Sequence, residues 1–371
     1  LTTELPAGPP IRKAGEQQGP VAQLRITKPG RMLGKVAIGG GLGFAESYLD
    51  GDWETDDLAA LLEVAGRNVD VHVRNRSSSR VINFARSMWE RVTRRHRAEI
   101  QSIAVHYNLG NEFYAAWLDR TMTYSSAVFA EPDVALEQAQ LEKYRRLAEL
   151  AELQPSDHVL EIGCGWGGFA EYAATEIGCR VTGLTLSTEQ AVYARHRLEQ
   201  AGVGDLVDIK LQDFRDETGT YDKIVSVEMI ESIPADLWPR LFATMRASLR
   251  KGGRVAMQAI TIAEDLYESL LGRHDFINKH VFPDGSLPSV SALEALATRN
   301  DLEPGPPAGY ATSYAKTLET WRTQFEEAWP SLAGDQFDER FRRTWNYYLA
   351  YCEAGFRIGR IDVHQIAFAA A

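Results

Sequence analysis

The chain has 371 residues, of which 44% are hydrophobic and 25% charged, a composition typical of a soluble protein with one large and one smaller domain. Its net charge of −11 disfavours a nucleic-acid partner, and no apolar run approaches the roughly 20 residues that a membrane-spanning helix needs. The polar N-terminus is unlike a signal peptide, and three scattered cysteines predict neither a disulfide framework nor a metal site. We therefore expect a cytoplasmic protein.

Residues 1–100 are predicted to form a smaller, mainly helical N-terminal domain, with a helix that begins near Thr55 or Asp56. Between Arg67 and Arg97, nine arginines accompany two acidic residues. Within this basic segment apolar side chains recur at helical spacing, namely Val81, Phe84, Met88 and Val92. Such a helix either docks on an anionic membrane surface or packs one face on its own protein. The N-terminal domain is therefore predicted to serve membrane docking or oligomerisation.

Residues 101–371 alternate between buried strands and helices, as in a doubly wound α/β fold with a parallel sheet. Strands are predicted at 159–162, 180–184, 207–211, 223–227 and 254–259. Helices are predicted at 137–153, 168–176, 188–200, 235–249 and 337–356. A long insertion at about 264–289 interrupts the alternation, and 361–369 is expected to be an edge strand of the sheet.

A glycine-rich turn follows the first of these strands, in the stretch HVLEIGCGWGGFA. Gly163, Gly165 and Gly168 satisfy the GxGxxG pattern, which by itself is a weak sign of a dinucleotide site. A dinucleotide site also needs an acid at the end of the second strand, where this chain has Thr185 and Ser187. The pattern therefore favours a different nucleotide cofactor.

S-adenosylmethionine suits the same turn better than a dinucleotide does. Its usual site has an acid before the glycines and a polar or acidic group after the third strand, and Glu161, Gln212 and Asp213 stand at those places. A carboxylate suits a positively charged cofactor, and glycines let backbone N–H groups approach it. We therefore predict an S-adenosylmethionine site without metal.

Seven stretches together resemble the cyclopropane-fatty-acid-phospholipid synthase family. They are HYNLGNEFYAAWLD (106–119), MTYSSAVF (122–129), LEIGCGWGG (160–168), GLTLSTEQ (183–190), SVEMIES (226–232), FINKHVFPDGSLPS (276–289) and YYLAYCEAGFR (347–357). The resemblance covers the chain from about residue 40 to the C-terminus. It implies a class I S-adenosylmethionine-dependent methyltransferase fold, which is Rossmann-like, with a smaller N-terminal domain. It also implies methyl transfer to the double bond of an unsaturated acyl chain, with S-adenosylhomocysteine as the second product.

The resemblance further implies which residues contact the cofactor. Carried over by position, they are Tyr124, Ser125, Gly163, Gly165, Gly167, Thr185, Leu186, Gln190, Gln212 and Asp213. The family also holds a bicarbonate ion beside the reactive carbon, in a cradle of Cys, Glu, His and Tyr side chains and one backbone group. The matching places are Ser126, Glu231, Gln258, Tyr314 and, for the backbone group, Ile260.

Two of the four cradle side chains depart from the family pattern, because Ser126 replaces the usual cysteine and Gln258 the usual histidine. In addition, Glu228 stands where the cyclopropane enzymes usually carry a small residue. A carboxylate in a dry pocket is a competent base, since burial raises its pKa. The sequence therefore leaves open whether bicarbonate, Glu231 or Glu228 removes the proton.

Methyl transfer to a double bond leaves a carbocation on the acyl chain, and water has to be excluded from it. Aromatic faces stabilise such a cation, and the candidates are Tyr124, Phe276, Phe282, Tyr310 and Tyr314. Proton loss with ring closure gives a cyclopropane, whereas a preceding hydride shift gives a methylene branch. The chain resembles the actinobacterial enzymes that make 10-methylene lipids, precursors of 10-methyl (tuberculostearic-type) chains, and a cyclopropane synthase is the alternative.

The expected partners follow from this chemistry. The substrate is an unsaturated phospholipid, so we expect the enzyme to sit peripherally on the inner face of the membrane, with the basic segment on the anionic surface and the 264–289 insertion over the acyl pocket. A separate reductase would complete a 10-methyl chain, and a homo-oligomer is expected. Two other classes remain as alternatives, namely a methyltransferase for small metabolites or nucleic acid and a non-catalytic lipid-binding protein.

Overall fold

A computed structural model describes residues 1–14, 19–68, 109–270 and 275–370 of the chain. After its first two residues, the basic amphipathic segment predicted at 67–97 lies outside the described residues, as does the domain boundary near residue 100. Within the described ranges, no helix combines the length and the apolar character that crossing a membrane requires.

The N-terminal residues form a small four-stranded sheet with two helices. In chain order the elements are β1 (Thr2–Glu4), β2 (Ile11–Arg12), β3 (Gln23–Ile26), α1 (Pro29–Leu49), β4 (Trp53–Glu54) and α2 (Leu58–Asn68). The strands lie in the order β2-β1-β3-β4. This sheet was not predicted, because strands of two to four residues leave too short an apolar pattern to recognise.

The capping residue of α2 lies just after the predicted one. The carboxylate of Asp57 accepts a hydrogen bond from the Ala60 N–H at 3.0 Å, and α2 begins at Leu58. The helix therefore starts three residues after Thr55 and two after Asp56. Helix α1 starts with Pro29 in its first turn and kinks at Gly40, whose φ of 55° lies in the left-handed region that glycine adopts freely.

The large sheet carries all five predicted parallel strands. Its strands are β5 (His158–Ile162), β6 (Arg180–Thr185), β7 (Val207–Leu211), β8 (Tyr221–Val227), β9 (Leu249–Ile262), β10 (Leu302–Pro304), β11 (Ala308–Gly309) and β12 (Ile361–Ala370). Their order is β10-β12-β9-β8-β5-β6-β7, with β11 also paired to β12. Strands β5 to β9 are parallel to their neighbours among themselves, as predicted.

The prediction that residues 361–369 form an edge strand is wrong, because β12 lies inside the sheet between β9 and β10. It runs antiparallel to both neighbours, so the sheet is mixed rather than wholly parallel. Strand β12 is buried on both faces, with Val363, Gln365 and Phe368 each at most 3% exposed. The edge next to β12 is occupied by β10, which has three residues and ends in Pro304. So short a strand, with a proline at its end, has no sequence pattern from which it could be predicted.

Ten further helices follow the N-terminal pair in the described chain. They are α3 (Asn111–Ala115), α4 (Leu136–Ala151), α5 (Gly168–Tyr172), α6 (Thr188–Gln200), α7 (Trp238–Ser248), α8 (Glu264–Leu270), α9 (Phe276–His280), α10 (Val290–Thr298), α11 (Ala311–Leu332) and α12 (Glu339–Arg357). The five predicted helices correspond to α4, α5, α6, α7 and α12. Helix α6 has the predicted bounds because the Ser187 hydroxyl caps it, accepting from the Gln190 N–H at 3.3 Å.

An aromatic core joins the N-terminal helices to the C-terminal pair α11 and α12. Leu58 of α2 belongs to the same apolar cluster as Phe113, Trp117, Trp321 and Trp345. The ring centroids of Phe113 and Trp345 are 5.1 Å apart, and those of Trp117 and Trp321 are 5.8 Å apart. Helix α2 of the N-terminal residues therefore packs against the helical pair that precedes β12.

Candidate active site

The glycine turn at the carboxyl end of β5 is shaped by positive φ angles. Gly163, Gly165 and Gly167 have φ values of 85°, 53° and 83°, which side-chain-bearing residues rarely adopt. Among the described residues, no heavy atom lies within 4 Å of the place where a Cβ on Gly165 would stand. On Gly167 the same Cβ would be 3.0 Å from the Cβ of Ala194 in α6. Gly165 therefore faces open space, whereas Gly167 lets the turn pack against α6.

A cleft of about 1410 Å³, its open mouth included, lies at the carboxyl ends of β5, β6 and β8. Parallel α/β sheets commonly bind ligands at this edge. Nine of the ten residues predicted to contact the cofactor line the cleft; they are Tyr124, Ser125, Gly163, Gly165, Thr185, Leu186, Gln190, Gln212 and Asp213. The tenth, Gly167, is absent from the wall because it sits behind the turn, against α6.

Two carboxylates of the cleft have opposite environments. Glu161 of β5 is 2% exposed, and burial raises its pKa to about 8 although Lys143 opposes the shift. Its Oε2 atom has no hydrogen-bond partner among the described residues. Burial also acts to raise the pKa of Asp213, but the guanidinium and N–H of Arg215 hold it below its usual value. Glu161 is therefore the carboxylate that a bound cation or hydrogen-bond donor would satisfy.

Glu228 lies in the cleft wall at the end of β8, where three groups donate hydrogen bonds to its carboxylate. Its Oε1 accepts from the Ser126 N–H at 2.8 Å and from Gln258 Nε2 at 2.7 Å. Its Oε2 accepts from the Tyr314 hydroxyl at 2.6 Å. The donors come from the segment before α4, from β9 and from α11. The carboxylate therefore occupies a cradle of donors that tertiary packing brings together.

The backbone of Glu228 is held in an unusual conformation. Its φ is 48°, in the left-handed region that costs a non-glycine residue roughly 1–2 kcal/mol. Its N–H donates to the Gln258 carbonyl at 2.8 Å, so backbone and side chain are both tied to β9. Backbone strain of this kind persists when surrounding contacts over-determine it, and it concentrates at functional sites.

Glu231 stands in a short 3-10 turn after β8 and is 9% exposed. Its Oε1 accepts a hydrogen bond from the Ile260 N–H, whereas its Oε2 has no partner among the described residues. Burial raises the pKa of Glu231 well above its usual range, and the charge of Glu228 raises it further. Of the two carboxyls, Glu228 has the donors that stabilise an anion, so Glu231 binds a proton more readily.

A profile of the family described as mycolic acid cyclopropane synthetase matches residues 94–366. The chain belongs to the mycolic acid cyclopropane synthetase family. The predicted resemblance is thereby confirmed, and with it the enzyme class, an S-adenosylmethionine-dependent methyltransferase.

Two relatives of this methyltransferase match over most of its length. The tuberculostearic acid methyltransferase of Mycobacterium tuberculosis is 42% identical over 354 residues, which cover 92% of this chain and 82% of that protein. The cyclopropane-fatty-acyl-phospholipid synthase of Escherichia coli (strain K12) is 34% identical over 347 residues, which cover 94% of this chain and 87% of that protein.

A solved structure confirms the predicted class I methyltransferase fold. The crystal structure of a mycolic acid cyclopropane synthase complexed with SAH and CTAB superposes with a TM-score of 0.69 and 28% identity, over 74% of this chain and 99% of that one. S-adenosylmethionine fits the cleft of the present enzyme in two respects. The space beside Gly165 leaves room for a ligand, and Glu161 Oε2, without a partner in the described part of the chain, suits a cationic one.

The five predicted catalytic residues of the methyltransferase fall into one cluster. Glu228 bonds directly to Gln258, Tyr314 and the Ser126 backbone, and Glu231 reaches the neighbouring strand at Ile260. The Ser126 hydroxyl, however, donates to the Ala127 carbonyl at 2.9 Å and not to Glu228. Ser126 therefore contributes its N–H to the cluster, which the sequence could not distinguish from a side-chain role.

The aromatic candidates have different surroundings. Tyr124 lines the cleft and donates to the Tyr348 hydroxyl at 2.9 Å, and Tyr314 bonds to Glu228. The Phe282 and Tyr348 rings are 6.0 Å apart. By contrast, Phe276 packs on Tyr347 with ring centroids 4.5 Å apart. Tyr310 accepts a hydrogen bond from Arg146 at 3.2 Å, beneath a guanidinium 5.5 Å from its ring.

Two residues of the site were missed by the sequence analysis. Gln365 of β12 donates from Nε2 to Gln258 Oε1 at 2.9 Å, which turns the Gln258 amide nitrogen toward Glu228. Lys143 of α4 is 0% exposed and donates to the Ser125 hydroxyl at 2.6 Å. The helical spacing could have identified Lys143, because it shares one face of α4 with Gln140, Tyr144 and Leu147. A lysine on a buried face is rare unless it has a partner, so its position there indicates a specific role.

Proposed function

We propose that this methyltransferase adds a methyl carbon to the double bond of an unsaturated acyl chain in a phospholipid and produces a methylene-branched chain, with Glu228 as the base. The observation that carries the proposal is the position of the Glu228 carboxylate, in the cleft wall and among the donors of Ser126, Gln258 and Tyr314. These donors belong to three of the residues that the family resemblance assigns to a bicarbonate cradle. The carboxylate of the chain thus stands where a free base would have to bind.

The cofactor cleft supplies position and electrostatics. Gly165 leaves open space for close approach to the backbone, and Glu161 offers a carboxylate oxygen that has no partner among the described residues. Thr185 and Gln190, joined by a 2.8 Å hydrogen bond, fix the turn after β6. When bound, S-adenosylmethionine supplies an electrophilic methyl group. The chain holds the acyl double bond in line with that methyl, because an alkene is a poor nucleophile and depends on orientation.

The electron pair of the double bond would form the new carbon–carbon bond while the bond between sulfur and methyl breaks and leaves its electron pair on the sulfur of S-adenosylhomocysteine. The adjacent former alkene carbon becomes positively charged. A hydride then moves between the two former alkene carbons. Glu228 removes a proton from the new methyl group, and the electrons of that C–H bond form the exocyclic C=CH₂ bond. The acyl chain ends uncharged, and the proton resides on a Glu228 carboxylate oxygen.

The methylene outcome requires that the hydride shift precede removal of the proton. Burial raises the pKa of Glu228 although its three donors act in the opposite direction, so the carboxylate is competent to accept the proton once the hydride has moved. The 42% identity with a protein named tuberculostearic acid methyltransferase supports the same outcome.

Glu231 and free bicarbonate have different parts in this proposal. Glu231 stays protonated next to the Glu228 anion, since both burial and that anion raise its pKa. Bicarbonate is not required, because Glu228 already accepts from the donors that would hold the ion. We therefore expect turnover to be independent of added bicarbonate.

The lipid surroundings extend the proposal. The insertion after β9 reaches the site, since the Ser286 N–H donates to the Glu231 carbonyl at 3.1 Å, and we infer that it covers the acyl chain. We further infer peripheral docking on the inner, anionic membrane face through the arginine-rich residues 67–97, a homo-oligomeric state and a separate reductase that completes a 10-methyl chain. Co-sedimentation with anionic and with neutral vesicles tests the docking.

The decisive experiment combines unsaturated phospholipid vesicles, labelled S-adenosylmethionine and proton NMR of the product. Vinylidene signals are expected from the wild-type enzyme and from reactions depleted of bicarbonate. Upfield ring signals alone would assign the alternative, a cyclopropane synthase, which the 34% identity with the Escherichia coli enzyme favours. If the enzyme methylates free small molecules but not the lipids of vesicles, both the methylene-forming and the cyclopropane-forming functions are excluded. If it binds lipid without consuming S-adenosylmethionine, it is a non-catalytic lipid-binding protein.

A further inference from the structure

Lys143 is a lysine in the interior, beside the cofactor cleft but outside its wall. It lies in the middle of α4 and is 0% exposed. Its Nζ donates to the Ser125 hydroxyl at 2.6 Å and lies 4.8 Å from the centroid of the Tyr144 ring. Within the described residues, Ser125 is the one hydrogen-bond acceptor that its three N–H groups reach. Burial lowers the pKa of Lys143 to about 7, against the pull of nearby carboxylates.

Three carboxylates from three different elements attract the Lys143 ammonium. They are Glu228 at the end of β8, Asp119 after α3 and Glu161 in β5. No contact ion pair forms with any of them in the described structure, so the cation acts on them across space from a fully buried position. A buried, incompletely paired charge lowers stability. Its presence therefore indicates a role in the site and not in folding.

The segment between Lys143 and Glu228 is short and firmly held. Lys143 bonds to the Ser125 side chain, and Gln140, one turn earlier on the same face of α4, donates to the Ser125 carbonyl at 3.0 Å. The next residue, Ser126, donates its N–H to Glu228 at 2.8 Å. Helix α4 therefore supplies both the positive charge near Glu228 and the hydrogen bonds that hold Ser125 and Ser126 beside its carboxylate.

We propose that Lys143 is a positioning residue that keeps Glu228 ionised through its positive charge and holds Ser125 and Ser126 against it. The inference rests on the proposed role of Glu228 as the base. Burial favours the protonated form of Glu228, and among the effects that oppose burial the charge of Lys143 is the largest. Protonation of Oε1 would also place an O–H against the N–H donors of Ser126 and Gln258, and protonation of Oε2 would require the Tyr314 hydroxyl to turn and accept.

The test is the pH dependence of kcat in Lys143→Met, with Gln140→Met as the matched control. Lys143→Met removes the charge, so the midpoint of the acid limb is expected to rise by about one pH unit or more. At pH values below that midpoint kcat should be about tenfold lower than in wild type, and at higher pH it should return to the wild-type value. Gln140→Met removes a bond to the same segment from the same buried face but no charge. Its profile is expected to keep the wild-type midpoint.

Lys143→Gln separates the charge from the hydrogen bond and also serves if Lys143→Met does not fold. It retains a donor toward Ser125 but has no charge, so it is expected to share the shifted profile. Lys143→Arg keeps the charge and is expected to restore the wild-type midpoint in part. Calorimetric affinity for S-adenosylhomocysteine is expected to change less than about threefold in each variant, since Lys143 is not in the cleft wall.

A second readout does not involve turnover. Infrared titration follows the carboxyl stretch of protonated Glu228, assigned by its loss in Glu228→Gln, and its midpoint is expected to rise in Lys143→Met. In the double variant Lys143→Met with Glu228→Gln, kcat should be little lower than in Glu228→Gln alone. A wild-type midpoint in both uncharged variants would overturn the role of Lys143. Full activity of Glu228→Gln would instead overturn the base itself, so the two failures are distinct.

Discussion

The Tyr314 hydroxyl of α11 donates a hydrogen bond to Glu228 Oε2 at 2.6 Å, across a gap of 86 residues in the chain. Tyr314 is 6% exposed, and its ring packs on Phe356 of α12 with centroids 4.3 Å apart. The C-terminal helices thereby hold a donor against a carboxylate that belongs to the central sheet. The chemistry at the end of β8 therefore depends on helices that lie later in the sequence, between β11 and β12.

Replacing Glu228 by glutamine tests the base directly. Glutamine is close in size but cannot accept a proton, so kcat is expected to fall about 10²- to 10⁴-fold. Affinity for S-adenosylhomocysteine, measured by calorimetry, should stay near wild type. Glu231→Gln is the matched control, because a protonated Glu231 already resembles the amide, and it should lose less than tenfold. A larger loss in Glu231→Gln than in Glu228→Gln would reverse the assignment.

Removing the Tyr314 hydroxyl should change the pH dependence of turnover. The phenol donates to Glu228 and lowers its pKa, against the larger effect of burial. In Tyr314→Phe the pKa of Glu228 therefore rises, and the acid limb of the kcat profile moves to higher pH. The control is Tyr310→Phe, one turn earlier, whose hydroxyl interacts with Arg146 and should leave the limb in place. An unmoved limb in Tyr314→Phe would argue against this hydrogen bond in solution.

Glu161 predicts how stability depends on pH in the ligand-free protein. Its folded pKa is raised by burial to about 8, above the ordinary 4.5, so ionisation opposes folding. Its unfavourable contribution is absent below about pH 4.5 and grows until about pH 8. Glu161→Gln is therefore expected to raise the Tm relative to wild type at pH 8 and to leave it similar at pH 4.5, by calorimetry.

The same Glu161→Gln change should weaken cofactor binding. The variant loses the carboxylate whose Oε2 has no partner among the described residues, so affinity for S-adenosylmethionine should fall more than that for S-adenosylhomocysteine, which lacks the sulfonium charge. Equal loss for both ligands would show that the charge of Glu161 does not act on the sulfonium side.

Two glycines of the turn should respond differently to alanine. Both Gly165→Ala and Gly167→Ala put a side chain at positive φ, at a cost of roughly 1–2 kcal/mol in the free energy of unfolding. The Gly165 Cβ enters open space at the cleft, so that variant should lose at least about tenfold in ligand affinity. The Gly167 Cβ meets Ala194, so that variant should lose more stability and bind with less change.

A buried ion pair joins the two C-terminal helices. Glu353 of α12 is 0% exposed and pairs with Arg322 of α11 at 3.2 Å and with Arg357 at 2.6 Å. Arg322→Met leaves part of a buried charge unpaired and should lower the free energy of unfolding by about 3 kcal/mol, measured by urea denaturation. The control Arg145→Met breaks surface pairs and should cost less than about 1 kcal/mol.

Much of the catalytic domain could be read from local patterns in the sequence. The run that ends at Ile162 enters a glycine turn, and Ser187 caps α6, so strand, turn and helix follow from residues close together in the chain. Family motifs then placed Glu228, Glu231 and Tyr314 at the site. The position of β12 was mistaken because the identity of a strand's neighbours depends on distant segments, here β9 and β10.

The sequence by itself determined the α/β fold, the cofactor turn and the identities of the acidic residues, because periodicity, capping and glycine content act over a few neighbouring positions. Only the tertiary structure decided which donors surround Glu228 and that Lys143 is buried near it. Ser126, Gln258 and Tyr314 come from three separated elements, and their hydrogen bonds exist only when the sheet and the C-terminal helices pack together. A carboxylate's charge state follows from that packing, because burial and neighbouring charge set its pKa.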